Sequence, residues 1–197
     1  MQIAVDTNQF SGNHGASNRK KHRQLEQLGV ELIPVPLPFG DYALIDDSVR
    51  EILDKKGDKV KKKDLESIIK LSVDTKKNLD ELCGNVCQQH ERFKRELLKP
   101  VQHNSKLVIL VEHGEDVKCL GDVFFWQNSR KHELRWRTVN GKRVKDVISA
   151  KAVDGNQLYK SLCTIHDRYG IDIQFCSKEE TGKRITEILS GGLKDGG

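Results

Sequence analysis

The chain has few of the features that assign a class at a glance. Its 197 residues hold one methionine, two tryptophans and four prolines, and aromatic residues make up 6%. So few prolines, with no low-complexity tract, argue against global disorder. No apolar run approaches the length needed to cross a bilayer, so no membrane span is expected. The opening Met1-Gln2-Ile3-Ala4-Val5 lacks the charged start and long apolar stretch of a secretory signal and reads as a first core strand. Five cysteines (Cys83, Cys87, Cys119, Cys163, Cys176) are odd in number and scattered, with no Cys-x-x-Cys. That excludes a disulfide framework and points to a reducing, intracellular compartment. Gly-x-Gly-x-x-Gly, the phosphate-loop Gly-x-x-x-x-Gly-Lys and Gly-x-Ser-x-Gly are all missing, so none of these motifs supports dinucleotide, nucleotide-triphosphate or serine-hydrolase chemistry.

What is present is an ordinary core and a great deal of charge. Hydrophobic residues make up 36% and charged residues 32%, with a net charge of +5. A chain this long can bury a core without a disulfide or metal staple. The expectation is one domain over 1–190, with basic excursions at about 46–66 and 113–150 and a flexible tail at 191–197. The charge is concentrated. From Arg130 to Lys145 stand Arg130, Lys131, Arg135, Arg137, Lys142, Arg143 and Lys145 against Glu133 alone, with Trp126 and Trp136 in or beside the run. Two readings fit: a solvated hairpin whose tryptophans face the core, or a surface that tracks phosphates and stacks on bases.

Periodicity sets out the elements. Residues 2–6 read as a buried strand, 11–18 as a loop, and a helix runs from an Asn18 cap to Gly29 with Leu25 and Leu28 inward. Strands follow at 30–35 and 41–45. The polar, lysine-rich stretch 46–66 reads as a short helix or mobile hairpin. A strand over 68–76 leads into a helix capped by Asn78, with Leu79, Leu82, Cys83, Val86, His90, Phe93 and Leu97 on one face and Pro100 as its stop. Leu107 to Glu112 is a continuous apolar strand of the type buried on both faces. A helix with Leu158, Leu162, Ile165 and Tyr169 inward, a strand over 171–175, and a helix after a Ser177/Glu180 capping box complete the order. The predicted fold is α/β, a mixed central sheet flanked by helices.

The chemistry concentrates in acids at strand ends: Asp6, Asp41 and Asp74, with Lys76 two residues beyond Asp74. Residues two apart in a strand share a face, so Asp74 and Lys76 project together. An acid from a neighbouring strand would complete a site for a hard divalent cation with Asp74, leaving the lysine for the attacking water or the scissile phosphate. Asp6 either assists the metal or caps the loop that follows it. Asp80 lies at the start of a helix, where the dipole favours an acid in any case. Cys83, Cys87 and His90 sit at i, i+4 and i+7, but no fourth ligand accompanies them, and they read as core positions rather than zinc ligands.

The surrounding residues carry a resemblance. Phe39-Gly40-Asp41-Tyr42-Ala43-Leu44 resembles the Gly-Asp-Tyr strand of XPF-type structure-specific DNA nucleases, members of the restriction-endonuclease-like superfamily. Asp74-Thr75-Lys76-Lys77-Asn78-Leu79-Asp80 resembles their Glu-Arg-Lys-x-x-x-Asp signature. Val5-Asp6-Thr7-Asn8-Gln9-Phe10 is similar to their Val-Asp-x-Arg-Glu-Phe strand. Leu110-Val111-Glu112 and Glu180-Thr181-Gly182 resemble later segments, in order. The departures are an Asp for the signature Glu at position 74, Thr75 for its Arg, and the neutral pair Asn8-Gln9.

The resemblance implies a restriction-endonuclease-like fold and a stand-alone nuclease domain. It implies Mg²⁺-dependent endonucleolytic cleavage of DNA at branched, flap or junction structures, with Mn²⁺ able to substitute, in DNA repair or recombination. Asp41, Asp74 and Lys76 would be catalytic, with Asp6, Asp41 and Asp74 on the metal and Asp80 and Glu112 supporting them. Arg92 and the basic stretch 130–145 would hold DNA. A homodimer, or a heterodimer with a related domain, is the assembly it allows. The other reading kept open is a catalytically inactive DNA-binding or scaffold domain of the same family.

Overall fold

A computed structural model of the chain describes residues 1–10, 12–114, 116–147, 149 and 151–191, with only the backbone described over 12–17. The elements run β1 (Gln2–Asp6), α1 (Gly12–Gln27), β2 (Glu31–Val35), β3 (Tyr42–Leu44), α2 (Asp47–Lys56), α3 (Lys62–Leu65), β4 (Leu71–Lys76), α4 (Leu79–Cys87), α5 (His90–Gln102), β5 (Lys106–Glu112), β6 (Leu134–Val139), β7 (Lys142–Val147), α6 (Gly155–Tyr169), β8 (Asp172–Cys176) and α7 (Thr181–Leu189). Six strands form one sheet in the order β2-β1-β3-β4-β5-β8, and β6 and β7 form a separate ribbon. Only β3 runs against its neighbours; the β1–β2, β4–β5 and β5–β8 pairs are parallel. The mixed sheet flanked by helices is therefore as expected from sequence.

Three apolar clusters cover the sheet. One packs Leu79, Leu82, Phe93 and Leu97 of α4 and α5 with α6 against Ile109 and Val111. A second joins Leu25 of α1 and Ile185, Ile188 and Leu189 of α7 to Val5, Val73 and Leu110. The third packs Val49, Val60 and Leu65 of the lysine-rich stretch against Ala4, Val35, Leu37 and Ala43. Strand β5, buried on both faces, contributes alternate residues to the first two clusters, which is why its sequence is a continuous apolar run.

Several local expectations change. The 46–66 stretch is not a loose hairpin. Val49, Ile52 and Leu53 recur at i, i+3, i+4 on α2, and that short apolar stripe seats the helix on the sheet while its lysines face outward. Helix α1 starts at Gly12 rather than at an Asn18 cap, because the buried Asn18 amide turns inward to donate to Gln9. Leu28 is exposed; α1 ends at Gln27 and the chain turns through Gly29 (φ 74°), so Val30 takes the inward position. The helix predicted over 78–100 breaks into α4 and α5 at Gln88-Gln89, which rotates His90 and Cys87 out to solvent while Phe93 and Leu97 stay buried. Pro100 lies inside the last turn of α5 rather than stopping it. Asn78 does cap α4 by accepting from the Glu81 N–H, but the Glu81 carboxylate accepts from the Lys77 N–H rather than closing a box. Before α7, the Ser177 hydroxyl donates to the Glu180 carboxylate, and no side chain caps that helix. The tail beyond Gly191 lies outside the described residues.

Removing the fully buried Leu65 side chain, which ties α3 to the sheet, should destabilise the fold by about 2–5 kcal/mol in urea unfolding. Trypsin should leave the lysines of 46–66 uncut in the native protein. A loss of stability within experimental error would mean that this segment contributes nothing to the core.

Candidate active site

The parallel strands end on one edge of the sheet, and β3 begins there. That edge collects Asp6 at the end of β1, Asp41 just before β3, Asp74 and Lys76 at the end of β4, and Glu112 at the end of β5. Gly40 makes the approach possible. It adopts φ 69°, and a Cβ there would meet Ser72 at 2.9 Å, so only glycine lets the turn pass this close to β4. The Asp41 N–H then donates to the Val73 carbonyl at 2.8 Å and its carbonyl accepts from the Asp6 N–H at 2.9 Å, which sets Asp41 between β1 and β4.

The Asp41 carboxylate is held on both oxygens. Gln9 Nε2 donates to Oδ1 at 2.6 Å. The Thr75 N–H and hydroxyl donate to Oδ2 at 2.8 and 2.7 Å. Asn18 Nδ2 in turn donates to Gln9 Oε1. Behind Thr75 stands Lys21 of α1, whose Nζ donates to Thr75 Oγ1 at 3.0 Å and pairs with Glu112 Oε1 at 3.1 Å. Both charged side chains of that pair are 9% exposed. Asp74 and Lys76 share the adjacent position, with Nζ at 2.9 and 2.7 Å from the two carboxylate oxygens.

Burial and then the neighbouring Asp74 charge push the Asp41 carboxyl up to about 6, against the pull of Lys76 and the Thr75 hydrogen bonds. For Lys76, burial favours the neutral form, but the carboxylates of Asp74 and Asp41 outweigh it and hold the ammonium charged. Two carboxylates close together in a partly dry site, with one lysine between them, are short of positive charge.

These residues line a cleft of about 620 Å³. Asp6, Asp41, Asp74 and Lys76 lie in it, and Lys62, Lys77, Arg92 and Lys99 stand around it. Asp6 is occupied locally: it accepts from Asn8 Nδ2 at 3.0 Å and the Leu37 N–H at 3.2 Å, and Lys62 of α3 lies 3.7 Å away. Those contacts are those of a loop cap. Among the described residues, no three His, Cys, Asp or Glu side chains gather as a metal-binding group. Asp80 is exposed at the start of α4, where the Ser129 hydroxyl meets it at 3.4 Å, and it does not line the cleft. Glu112 lies behind the cleft, on Lys21.

Of the basic stretch, Arg130 and Lys131 are half-buried where the chain leaves the body, and Lys131 lies 3.8 Å from Asp154. Arg135, Arg137, Lys142, Arg143 and Lys145 are on the β6–β7 ribbon, away from the cleft. The tryptophans part: Trp126 is 8% exposed and Trp136 is 59% exposed. The sequence motifs assign no role to Lys21, Thr75, Gln9 or Lys62, all of which line the cleft. The signal for Lys21 was in the sequence, because Asn18, Lys21, His22 and Leu25 fall at i, i+3, i+4 and i+7, and all four are buried.

A family model described as the ERCC4 domain matches residues 5–188. A structure of XPF from Aeropyrum pernix superposes with a TM-score of 0.55 at 16% identity, over 99% of this chain and 66% of that one. A second structure, XPF from Aeropyrum pernix in complex with DNA, gives 0.55 at 17% identity over 98% of this chain and 65% of that one. The chain thus spans just under two thirds of the length of each, and it shares their fold. No curated protein matches it. Among the described residues, no helix is long and apolar enough to cross a membrane.

Two outcomes test the geometry. A carboxyl whose folded pKa lies above its unfolded value binds more protons in the folded state, so its contribution to stability falls as pH rises from about 4 to about 6. In EDTA, the melting temperature of Asp41→Asn relative to wild type should therefore climb across that window; a constant difference would mean that Asp41 titrates normally. Lys21→Met strands the buried Glu112 charge and should cost about 3–5 kcal/mol in chemical denaturation. Adding Glu112→Gln should restore part of that loss, and no recovery would show that the pair is not coupled.

Proposed function

We propose that this chain, which belongs to the ERCC4 domain family, is a divalent-metal-dependent DNA endonuclease domain that cuts phosphodiester bonds at branched, flap or junction structures. The observation that carries this reading is the group Asp41, Asp74 and Lys76, held together at the end of the sheet inside a cleft bordered by Lys62, Lys77, Arg92 and Lys99. The DNA present in the Aeropyrum pernix XPF complex is in keeping with it.

The donor set suits Mg²⁺, or Mn²⁺ in its place. Such a cation keeps several waters and needs only one or two carboxylates. Among the described residues, Asp41 Oδ1 accepts one hydrogen bond and each Asp74 oxygen accepts from Lys76 alone, so lone pairs remain on both residues. The raised Asp41 carboxyl is the kind of group a cation would hold ionised. Bound there, a divalent cation supplies an activated water and offsets the charge that builds on phosphorus.

The chain's own residues do the rest. Thr75 and Gln9 orient the Asp41 carboxylate, and Lys21 orients Thr75. Lys76, charged and beside both acids, donates to the phosphate oxygen that gains charge in the transition state. Lys62 and Arg92 neutralise flanking phosphates along the cleft, and the ribbon lysines and arginines add affinity for the backbone. Asp6 shapes the loop floor through Asn8 and Leu37, and Asp80 and Glu112 stabilise α4 and α1 rather than touching substrate.

The assay uses branched DNA with one labelled strand, in Mg²⁺, Ca²⁺ or EDTA. Wild type should cut in Mg²⁺ only. Asp74→Ala should abolish cutting, and Lys76→Ala should slow it by about 10²–10³, while both variants still shift the DNA in Ca²⁺. If wild type binds every flap, fork and junction but cuts none in Mg²⁺ or Mn²⁺, the non-catalytic DNA-binding reading replaces this one.

A further inference from the structure

The β6–β7 ribbon serves neither the core nor the cleft. Among the described residues its two strands pair only with each other, and none of its residues belongs to the three apolar clusters. Its turn is Asn140-Gly141, with φ of 50° and 75°, a two-residue connection whose twist matches that of the strands. That turn and the six-residue pairing on either side of it fix the register of the two strands.

Residues opposite one another in an antiparallel pair share a face. The register pairs Trp136 with Lys145 and Thr138 with Arg143, so one face carries an indole between two cations. The other face carries Arg135 opposite Asp146, Arg137 opposite Val144, and Lys142 opposite Val139. Asp146 is taken up by Arg137 at 2.5 Å. Trp136 is 59% exposed in a chain that buries its other tryptophan to 8%. The Arg143 guanidinium lies 5.4 Å from its centroid, and among the described residues no second ring packs on it. An exposed indole between cations on a positively charged strand pair has the chemistry of a stacking platform. Base stacking on it is tolerant of sequence, and the cations meet the phosphates on either side of the stacked base.

We propose that the ribbon is an arm that reads unpaired DNA: Trp136 stacks on an exposed base, and Arg143 and Lys145 hold its flanking phosphates. In a duplex the base faces are already stacked on one another, so the arm finds a partner only at a flap, gap or junction. Preference for branched substrates then resides in the arm, while the cleft supplies cutting. The inference rests on the DNA-binding reading above, and it is tested without catalysis.

The full chain, in EDTA, is titrated with a labelled dT oligonucleotide and with a blunt duplex of equal length. Trp136 is the exposed tryptophan, so its fluorescence reports contact directly, while the buried Trp126 serves as the constant background. Single-stranded DNA should quench the signal and saturate. Trp136→Ala should weaken single-strand binding roughly tenfold or more while changing duplex binding less than twofold, and Trp136→Tyr should recover most of the loss. Arg143→Ala with Lys145→Ala should flatten the salt dependence of single-strand binding by about two charges. The same readouts apply in the Asp74→Ala background, so a failed nuclease assay leaves this result intact. Equal losses for single strand and duplex, no loss for either, or equal quenching by anionic lipid vesicles would each overturn the proposal.

Discussion

A lysine buried in a helix holds the working edge of this sheet together. Lys21 reaches from α1 to Glu112 on β5 and Thr75 on β4, and Thr75 passes the hold on to Asp41. An ion pair this far out of water is not by itself a source of stability, since desolvating both charges offsets much of their attraction. What it supplies is position. With either partner gone, a lone charge would be left in the core, so α1, β4 and β5 are locked in one arrangement. The Thr75 hydroxyl is thereby committed to Asp41, and the carboxylate is fixed before any ligand arrives.

The same edge concentrates negative charge that the fold does not fully balance. Asp41 and Asp74 are close enough for one to raise the other, and Lys76 is shared between them. Such an arrangement costs folding free energy, and a cleft that holds carboxylates in this way has the electrostatics of a candidate functional site. The lysine-rich segment contributes twice. Its apolar stripe closes the third cluster over β1 and β3, and α3 brings Lys62 to the rim beside Asp6. Packing and rim charge come from one insertion because its helices turn apolar residues down and lysines out.

Sequence alone determined the sheet, its strand order in the chain and the acids at its edge. These depend on local patterns: continuous apolar runs for buried strands, a glycine before Asp41, and a two-residue spacing that forces Asp74 and Lys76 onto one face. Tertiary structure decided which polar residues serve those acids. The spacing of Asn18, Lys21, His22 and Leu25 marks Lys21 as inward-facing, but only the packing of α1 on the sheet sets it against Thr75 and Glu112, and only there do the neutral Thr75 and Gln9 become the donors that hold Asp41. It also parted the two tryptophans. Trp126 and Trp136 stand ten residues apart, at the edge and in the middle of one basic run, but one falls beneath α6 and the other on a ribbon with no core face. A local pattern can mark a side chain as buried, but it does not say what lies opposite it in space, and the partners of Lys21, Thr75 and Glu112, stand 54 and 91 positions away in the chain.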